Sequence, residues 1–379
     1  MRRLSLSPNR LGASAFLCRS PKPQRREASR KERRMNFTSQ VHKHVLGKLG
    51  ALMACLLAVV VLVGCSGGGG TDVSQASGSL DKNTEVRVCF VEVVENDAFI
   101  TMMNGFKDEM ADQGFTNVVY DVKNAQGDVA TLNSIAAQLK SADYDVIVPI
   151  ATPAAQACAN AAIDKPMIFI SVTDPVAAGI TSSLEKPDKG ITGTSNVSDV
   201  KAIFEFAEEL DPAALSGKVG ILYCSGEKNA EVTAKAAQEY LEGRQIEVDV
   251  RTVTNSSEVQ QTAATLASGV SCIYVPVDSV VQSAMSQLTQ TATKANIPVL
   301  GTDPVMVKDG ALESVSCSNT TLGAKSADMA IKALEGTKIS DLPVEVLASD
   351  DYAVNGATAK ALGINLDSLS ISQDYRVID

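Results

Sequence analysis

From residue 84 onward the chain alternates between short continuous apolar runs and segments whose apolar residues recur every three or four positions. VRVCFVEVV, NVVYDV, DVIVPI and PMIFISV read as strands. They are apolar at nearly every position rather than at alternate ones, so both faces of their sheet are expected to be covered. Between them Phe99, Met102, Phe106 and Met110 mark one helical stripe, ended by Gly114, and Leu132, Ile135, Ala136 and Leu139 mark another. An alanine-rich helix follows DVIVPI. Parallel neighbours need a crossover, and a helix supplies it, so this alternation predicts a parallel sheet between two helix layers.

A second series starts with a helix marked by Val200, Ile203, Ala207 and Leu210, which ends before Pro212. KVGILYCS, QIEVDVRTV, VSCIYVPV and IPVLGT are its strands. Val232, Ala236 and Leu241 mark a helix closed by Gly243, Asn255 with Glu258 opens another as a capping box, and DSVVQSAMSQL begins a third. The expected fold class is therefore α/β, with two doubly wound parallel-sheet lobes. Lobe 1 is expected over residues 84–193 plus about 319–345, and lobe 2 over 194–318 plus about 346–379. The seam is placed at TGTSNVSD (192–199), which has no periodicity; a helix from Gly323 is expected to return to lobe 1 and the final segment to lobe 2.

The N-terminus is different in kind. Residues 1–34 hold eleven basic and two acidic residues and read as a basic disordered arm or as sequence upstream of the true start, with Met35 as the alternative. Residues 35–64 have the parts of a secretory signal: Lys43 and Lys48, then an uncharged apolar stretch from Leu49 to Val63. LVGC (62–65) followed by SGGGG resembles a bacterial lipobox, in which Cys65 becomes the lipid-modified first residue, and residues 65–83 read as a Gly/Ser tether. The alternative is a transmembrane anchor, but this apolar stretch is shorter than the roughly 20 residues a span needs. The expected location is outside the cell, lipid-anchored to the outer face of a bacterial cytoplasmic membrane.

Composition removes several function classes. Residues 1–64 carry thirteen of the 34 basic residues and two of the 44 acids, which leaves the remainder at −21. Nucleic-acid phosphates would be repelled, so no nucleic-acid partner is expected. Both histidines, His42 and His44, precede Cys65, so neither His general-base catalysis nor His metal ligation is available after it. There is no G-x-S-x-G, no P-loop and no G-x-G-x-x-G after the first strand. No enzyme activity, cofactor or metal is expected. Cys89, Cys158, Cys224, Cys272 and Cys317 form no C-x-x-C and sit in apolar surroundings, which predicts buried free thiols.

In parallel α/β sheets, ligands bind beyond the carboxyl ends of the strands. In the first series those ends carry Asn96 with Asp97, Asn124 with Gln126, Thr152, and Thr173 with Asp174. In the second they carry Ser225 and Glu227, Asp278, and Asp303. At the seam of IATPAAQA, Thr152 suits an N-cap and Pro153 the first helical position, leaving the N–H groups of Ala154 and Ala155 for a carboxylate. Thr152 either caps its own helix or faces a ligand, and Asp278 in D-S-V-V has the same two readings. Hydroxyls and amides on one lobe and carboxylates on the other suit a zwitterion.

Five stretches carry a resemblance: NAQGD (124–128), IATPAAQA (150–157), SVTDPVAAG (171–179), YVPVDS (274–279) and GTDPVMVKDGAL (301–312). In this order they resemble ABC-transporter substrate-binding lipoproteins of the tryptophan/tyrosine-type, TrpX-like group. The resemblance covers most of residues 84–370. It implies a type I periplasmic-binding fold with three crossings and hinge closure. It also implies capture of a small ligand, often an aromatic amino acid, for an ABC permease and its ATPase. Asn124, Gln126, Thr152, Thr173, Asp174 and Asp278 match the family's cleft motifs; Asp303 matches with more variable neighbours. Ser225, Glu227 and Asn229 occupy the matching first loop of the second lobe. The loop VENDAF (94–99) departs from the family's His-Pro type loop, being slightly longer and more acidic; it would touch the ligand side chain, which leaves the aromatic preference open. Phe99 fits the apolar stripe of its helix better than a stacking role, and Tyr223 and Tyr274 read as core.

These readings combine in a non-catalytic receptor, a tethered monomer that closes on a zwitterion. Thr152 and Thr173 would take the carboxylate and Asp278 the ammonium, so Asp278→Ala is expected to abolish binding with the fold intact. The competing readings are a ligand-sensing lipoprotein serving a different membrane partner, and a binder of another small polar solute.

Overall fold

The structure, a computed structural model, describes residues 81–378. The first series forms β1 (Val86–Glu92), α1 (Asp97–Asp112), β2 (Val118–Asn124), α2 (Val129–Leu139), β3 (Val146–Pro149), α3 (Ala151–Ala161), β4 (Met167–Phe169) and β5 (Ile191–Asn196). The second forms α4 (Val200–Leu210), β6 (Val219–Cys224), α5 (Lys228–Gly243), β7 (Val248–Val253), α6 (Val259–Ala267), β8 (Cys272–Tyr274), α7 (Ser279–Gln282), α8 (Met285–Lys294), β9 (Val299–Gly301), α9 (Pro304–Lys308) and β10 (Glu313–Ser316). The chain then runs through α10 (Asn319–Leu334), β11 (Glu345–Leu347), β12 (Asp351–Asn355), α11 (Gly356–Ala361) and β13 (Arg376–Ile378).

Two sheets result, with strand orders β11-β5-β4-β3-β1-β2 and β13-β12-β10-β9-β8-β6-β7. Every described pairing is parallel except β10 with β12. The apolar runs behave as two-sided coverage requires. β3 is buried at every position and β1 at all but one, whereas the edge strands β2 and β7 keep exposed positions. Phe99, Met102, Phe106 and Met110 are all buried in the lobe 1 core, and Phe90 meets Phe106 edge-on at 5.3 Å. Tyr274 is buried in the lobe 2 core, and Tyr223 packs against that core half-buried.

The chain crosses between lobes after β5, β10 and β11. The residues expected as an aperiodic seam from 192 are therefore mostly strand β5, and the anticipated cuts at 193/194 and 345/346 fall inside β5 and β11. Period failed there because β5 is buried with polar side chains that bond inward. Thr192 Oγ1 donates to Leu342 O (2.8 Å), Thr194 Oγ1 pairs with Ser326 Oγ (2.9 Å), and Ser195 Oγ donates to Thr173 O (3.2 Å).

α10 starts at Asn319, earlier than its expected Gly323, and lies against α1. Two glycines set that approach: a Cβ on Gly323 would stand 2.0 Å from Met102 O, and one on Gly105 2.4 Å from Thr320 O. Three details of lobe 2 depart from expectation. Gly243 is the last helical residue of α5, and the reversal is made by Gln245 at φ 64°. The buried stripe of α5 is Ala230, Thr233, Ala234, Ala237 and Leu241; Val232 and Ala236 turn instead to a groove between the lobes. The helix opened by Asp278 breaks after one turn and resumes as α8. The five cysteines within the described residues are buried and free.

Candidate functional site

The carboxyl ends of the two sheets face each other, and α3 of lobe 1 meets α5 of lobe 2. Between them lies a cavity lined by Thr152, Thr173, Asp174, Lys228, Asn229 and Val232, among others. It is narrow, about 10 Å³, room for a single water. A groove of about 290 Å³ adjoins it, bordered by Leu184 and Ser195 on one side and Val232 and Ala236 on the other. At the rim Lys308 Nζ of lobe 2 bonds Asp97 Oδ2 of lobe 1 at 2.8 Å. Val305, in the same turn of α9, packs against the lobe 1 core.

The cleft holds a set of buried polar atoms without partners; Tyr274, Glu313, Ser314 and Ser316 in the lobe 2 sheet carry such atoms as well. Thr152 Oγ1, Thr173 Oγ1 and Asn229 Oδ1 line the cavity, and none has a hydrogen bond. Glu92 Oε2, Asn96 Nδ2, Asn196 Oδ1 and Gln282 Nε2 are in the same condition. A buried polar atom left unpaired costs about 1–3 kcal/mol, and the three that line the cavity are within reach of a molecule entering it.

Thr152 arrives there differently from expectation. α3 begins at Ala151, with Ile150 as N-cap and no side-chain capping bond, so Pro153 is the third helical residue. A helix starting there commits the N–H groups of Ala154 and Ala155 to the carbonyls of Ile150 and Ala151. Ala154 is wholly buried and is not an open donor as anticipated. Ala151, at φ 65°, donates its N–H to Ile170 O at 2.9 Å. The free donors at this helix end are the N–H and the hydroxyl of Thr152.

Asp278 is also reassigned. It is 0% exposed; Oδ1 accepts from Val281 N–H at 2.8 Å and Oδ2 accepts from Cys224 N–H. It caps α7 and ties it to the end of β6. Glu227, expected in the same role toward ligand, accepts from Ser279 N–H and Val280 N–H, each at 3.1 Å. Burial raises the pKa of both carboxyls, and Asp278 raises that of Glu227 further. Asn229 stands in front of this pair: its Nδ2 donates to Val277 O (2.7 Å) and to Glu227 Oε2 (3.4 Å), which leaves Oδ1 aimed away. Asn229 thus presents a free amide acceptor, able to receive an N–H from a group in the cavity.

The other sequence-derived residues divide. Asp303 Oδ1 accepts from Val305 N–H (2.8 Å) and Oδ2 from Asn319 Nδ2 (2.8 Å), so it braces the second crossing. Asp174 lines the cavity, but its Oδ1 accepts from Val176 and Ala177 N–H. Asn124 Oδ1 accepts from Gln126 N–H (2.7 Å), with Gln126 exposed at φ 54°. Ser225 is exposed and turns its hydroxyl to Val253 O (3.3 Å), away from the cleft. Asn96 Oδ1 caps α1 through Phe99 N–H (2.9 Å) while its Nδ2 stays unpaired. Sequence reading missed Glu92, Asn196 and Gln282. For Glu92 the signal was present, as a lone carboxylate in the run VCFVEVV. It is 1% exposed, and burial, then Glu95, pushes its pKa up to about 7.

Comparison with known proteins follows this geometry. Residues 87–374 match the family described as ABC transporter substrate binding protein. The chain belongs to that family. This substrate-binding protein is 33% identical over 317 residues, 83% of its length and 91% of the relative's, to a "Tyrosine-binding protein" of Clostridioides difficile. Among solved structures it is similar to an ABC domain in complex with L-Trp from Streptococcus pneumonia. That likeness has 28% identity and a TM-score of 0.72, and covers 78% of this chain and 100% of that one. It is also similar to a ligand-free, open substrate binding protein with adhesive properties from Clostridium difficile, with 34% identity, a TM-score of 0.57 and the same coverage. The more identical relative superposes less well, which is what a rotation between lobes produces. This chain as a whole superposes better on the complex than on the open form. The two-lobed architecture is that of type I periplasmic-binding proteins, and the family works outside the cytoplasm. Among the described residues no helix is long and apolar enough to cross a membrane.

Proposed function

We propose that this protein captures an aromatic amino acid between its lobes and delivers it, without catalysis, to an ABC permease driven by its ATPase. The observation that carries the reading is the facing set Thr152 Oγ1, Thr173 Oγ1 and Asn229 Oδ1, all buried, unpaired and lining one cavity. The hydroxyls, with the N–H of Thr152 at a helix start, take the α-carboxylate. Asn229 Oδ1 takes the ammonium. Contacts from both lobes to one ligand stabilise the closed form, and ligand release reopens it. The names of the relatives favour an aromatic side chain.

We place the protein at the outer face of the cytoplasmic membrane, tethered through lipid on Cys65, which lies outside the described residues. Mass spectrometry of the N-terminal peptide is expected to show a lipid-modified Cys65, and Cys65→Ala to release the protein from membranes.

The test of the binding role is a thermal-shift panel of amino acids with titration calorimetry. Ligand at about a thousand times its dissociation constant adds roughly 4 kcal/mol of stability. Thr152→Val and Thr173→Val are each expected to weaken binding about tenfold, the worth of about one charged hydrogen bond, while unliganded stability holds or rises. A flat response to all zwitterions refutes the reading.

A further inference from the structure

We infer that Glu92 and Asn96 form a polar clamp for the ring hydroxyl of the ligand, so that this chain selects tyrosine over phenylalanine. The inference rests on the amino-acid reading above and adds where the side chain goes. It starts from the register of the lobe 1 sheet. Val91 lies opposite Pro149, Ile150 bridges Ile170, and Glu92 lies opposite Asn124. Along the carboxyl edge the order is therefore Thr173 beyond β4, Thr152 beyond β3, Glu92 at the end of β1 and Asn124 at the end of β2. Adjacent strands are about 4.8 Å apart, so a carboxylate held between the β4 and β3 ends stands about 7 Å from the β1 end. That is close to the length of an extended tyrosine from carboxylate to phenol oxygen.

A ligand anchored at the two threonines and lying along this edge brings the tip of its side chain to the β1 end. There the chain holds one unpaired acceptor, Glu92 Oε2, and one unpaired donor, Asn96 Nδ2, both sealed from solvent. A carboxyl in an apolar strand run is costly to bury, and Glu92 is 1% exposed. A hydroxyl is the small group that donates to one partner and accepts from the other at once. An indole N–H satisfies only the acceptor, and a phenyl ring satisfies neither. Lobe 2 covers the same end on closure: Lys308 of α9 bonds Asp97 next to Asn96, and Val305 packs on lobe 1. The present cleft is narrower than an amino acid, so the bound form stands slightly more open about the same hinge.

The test is titration calorimetry of L-tyrosine, L-phenylalanine and L-tryptophan on the wild-type protein, Glu92→Met and Asn96→Asp. A site built around a hydroxyl rejects the analogue lacking it strongly, so tyrosine is expected to bind at least about 100-fold tighter than phenylalanine. Glu92→Met removes the acceptor and a costly buried carboxyl together, so folding is not threatened. It is expected to bring the two ligands within about 5-fold of each other, by weakening tyrosine and strengthening phenylalanine. Asn96→Asp keeps the cap on Phe99 and removes the donor; it is expected to weaken tyrosine and leave phenylalanine unchanged. Wild-type affinities for the two ligands within about 5-fold, or an unchanged ratio in Glu92→Met, overturn the clamp while the receptor reading stands. Failure of every aromatic amino acid to bind overturns both.

Discussion

Replacing Asp278 by alanine removes a carboxylate whose oxygens each receive a buried backbone N–H, from Cys224 and from Val281. Two donors are left without partners in a site that water does not reach. Each unsatisfied group costs about 1–3 kcal/mol, and loss of an N-cap alone costs about 1 kcal/mol. Part is returned, because the carboxyl is itself held at a raised pKa by burial and stands beside Glu227, whose pKa it raises. The balance is a loss of about 2–4 kcal/mol, which for domains of this size lowers Tm by roughly 5–10 °C. The assay is thermal and urea unfolding of purified ligand-free protein at neutral pH, beside calorimetry of ligand binding. Asp278→Ala with an unchanged Tm and abolished binding would return Asp278 to direct ligand contact and refute its assignment as a structural cap.

Three further outcomes follow from the packing. Glu92, held at about 7, and Glu227, Asp278 and Glu313, all shifted upward chiefly by burial, bind protons more tightly folded than unfolded. Their stabilising contribution is complete below the unfolded values of about 4 and is lost as pH rises through the folded ones, so ligand-free Tm should fall from about pH 5 to about pH 8; a rise over that range contradicts the account. Gly323→Ala drives a methyl into Met102 O across the α1–α10 contact and should cost about 2 kcal/mol or more by urea melt; an unchanged midpoint would mean that the helices part freely. Asp97→Asn breaks the exposed interlobe pair with Lys308 and should leave Tm within experimental error, while weakening ligand up to about 5-fold at low salt and not in about 0.5 M salt. A loss that persists in high salt would show that Asp97 acts through something other than its charge.

The alternation of apolar runs and helical stripes determined the α/β class and the two lobes, because burial of two-sided parallel strands is a local demand that each run states for itself. It also determined that the described cysteines are buried thiols. β5 escaped, since its buried threonines are satisfied by Leu342 and Ser326, more than a hundred residues away. Val232 and Ala236 misled for a related reason: an apolar stripe reports that a face is covered and does not say whether its own lobe or the other one covers it.

The strand ends that could bear a site were legible, and Thr152, Thr173, Asn229 and Asn96 were named from sequence. Which polar groups are already bonded within the fold is decided only in three dimensions. Asp278, Glu227 and Asp303 look like ligand acceptors in one dimension and prove to be bonded to backbone or to a crossing, while Glu92 hides in a strand. A residue type states what an atom is able to bond. Its bonding is decided by neighbours that the folded chain brings from other strands.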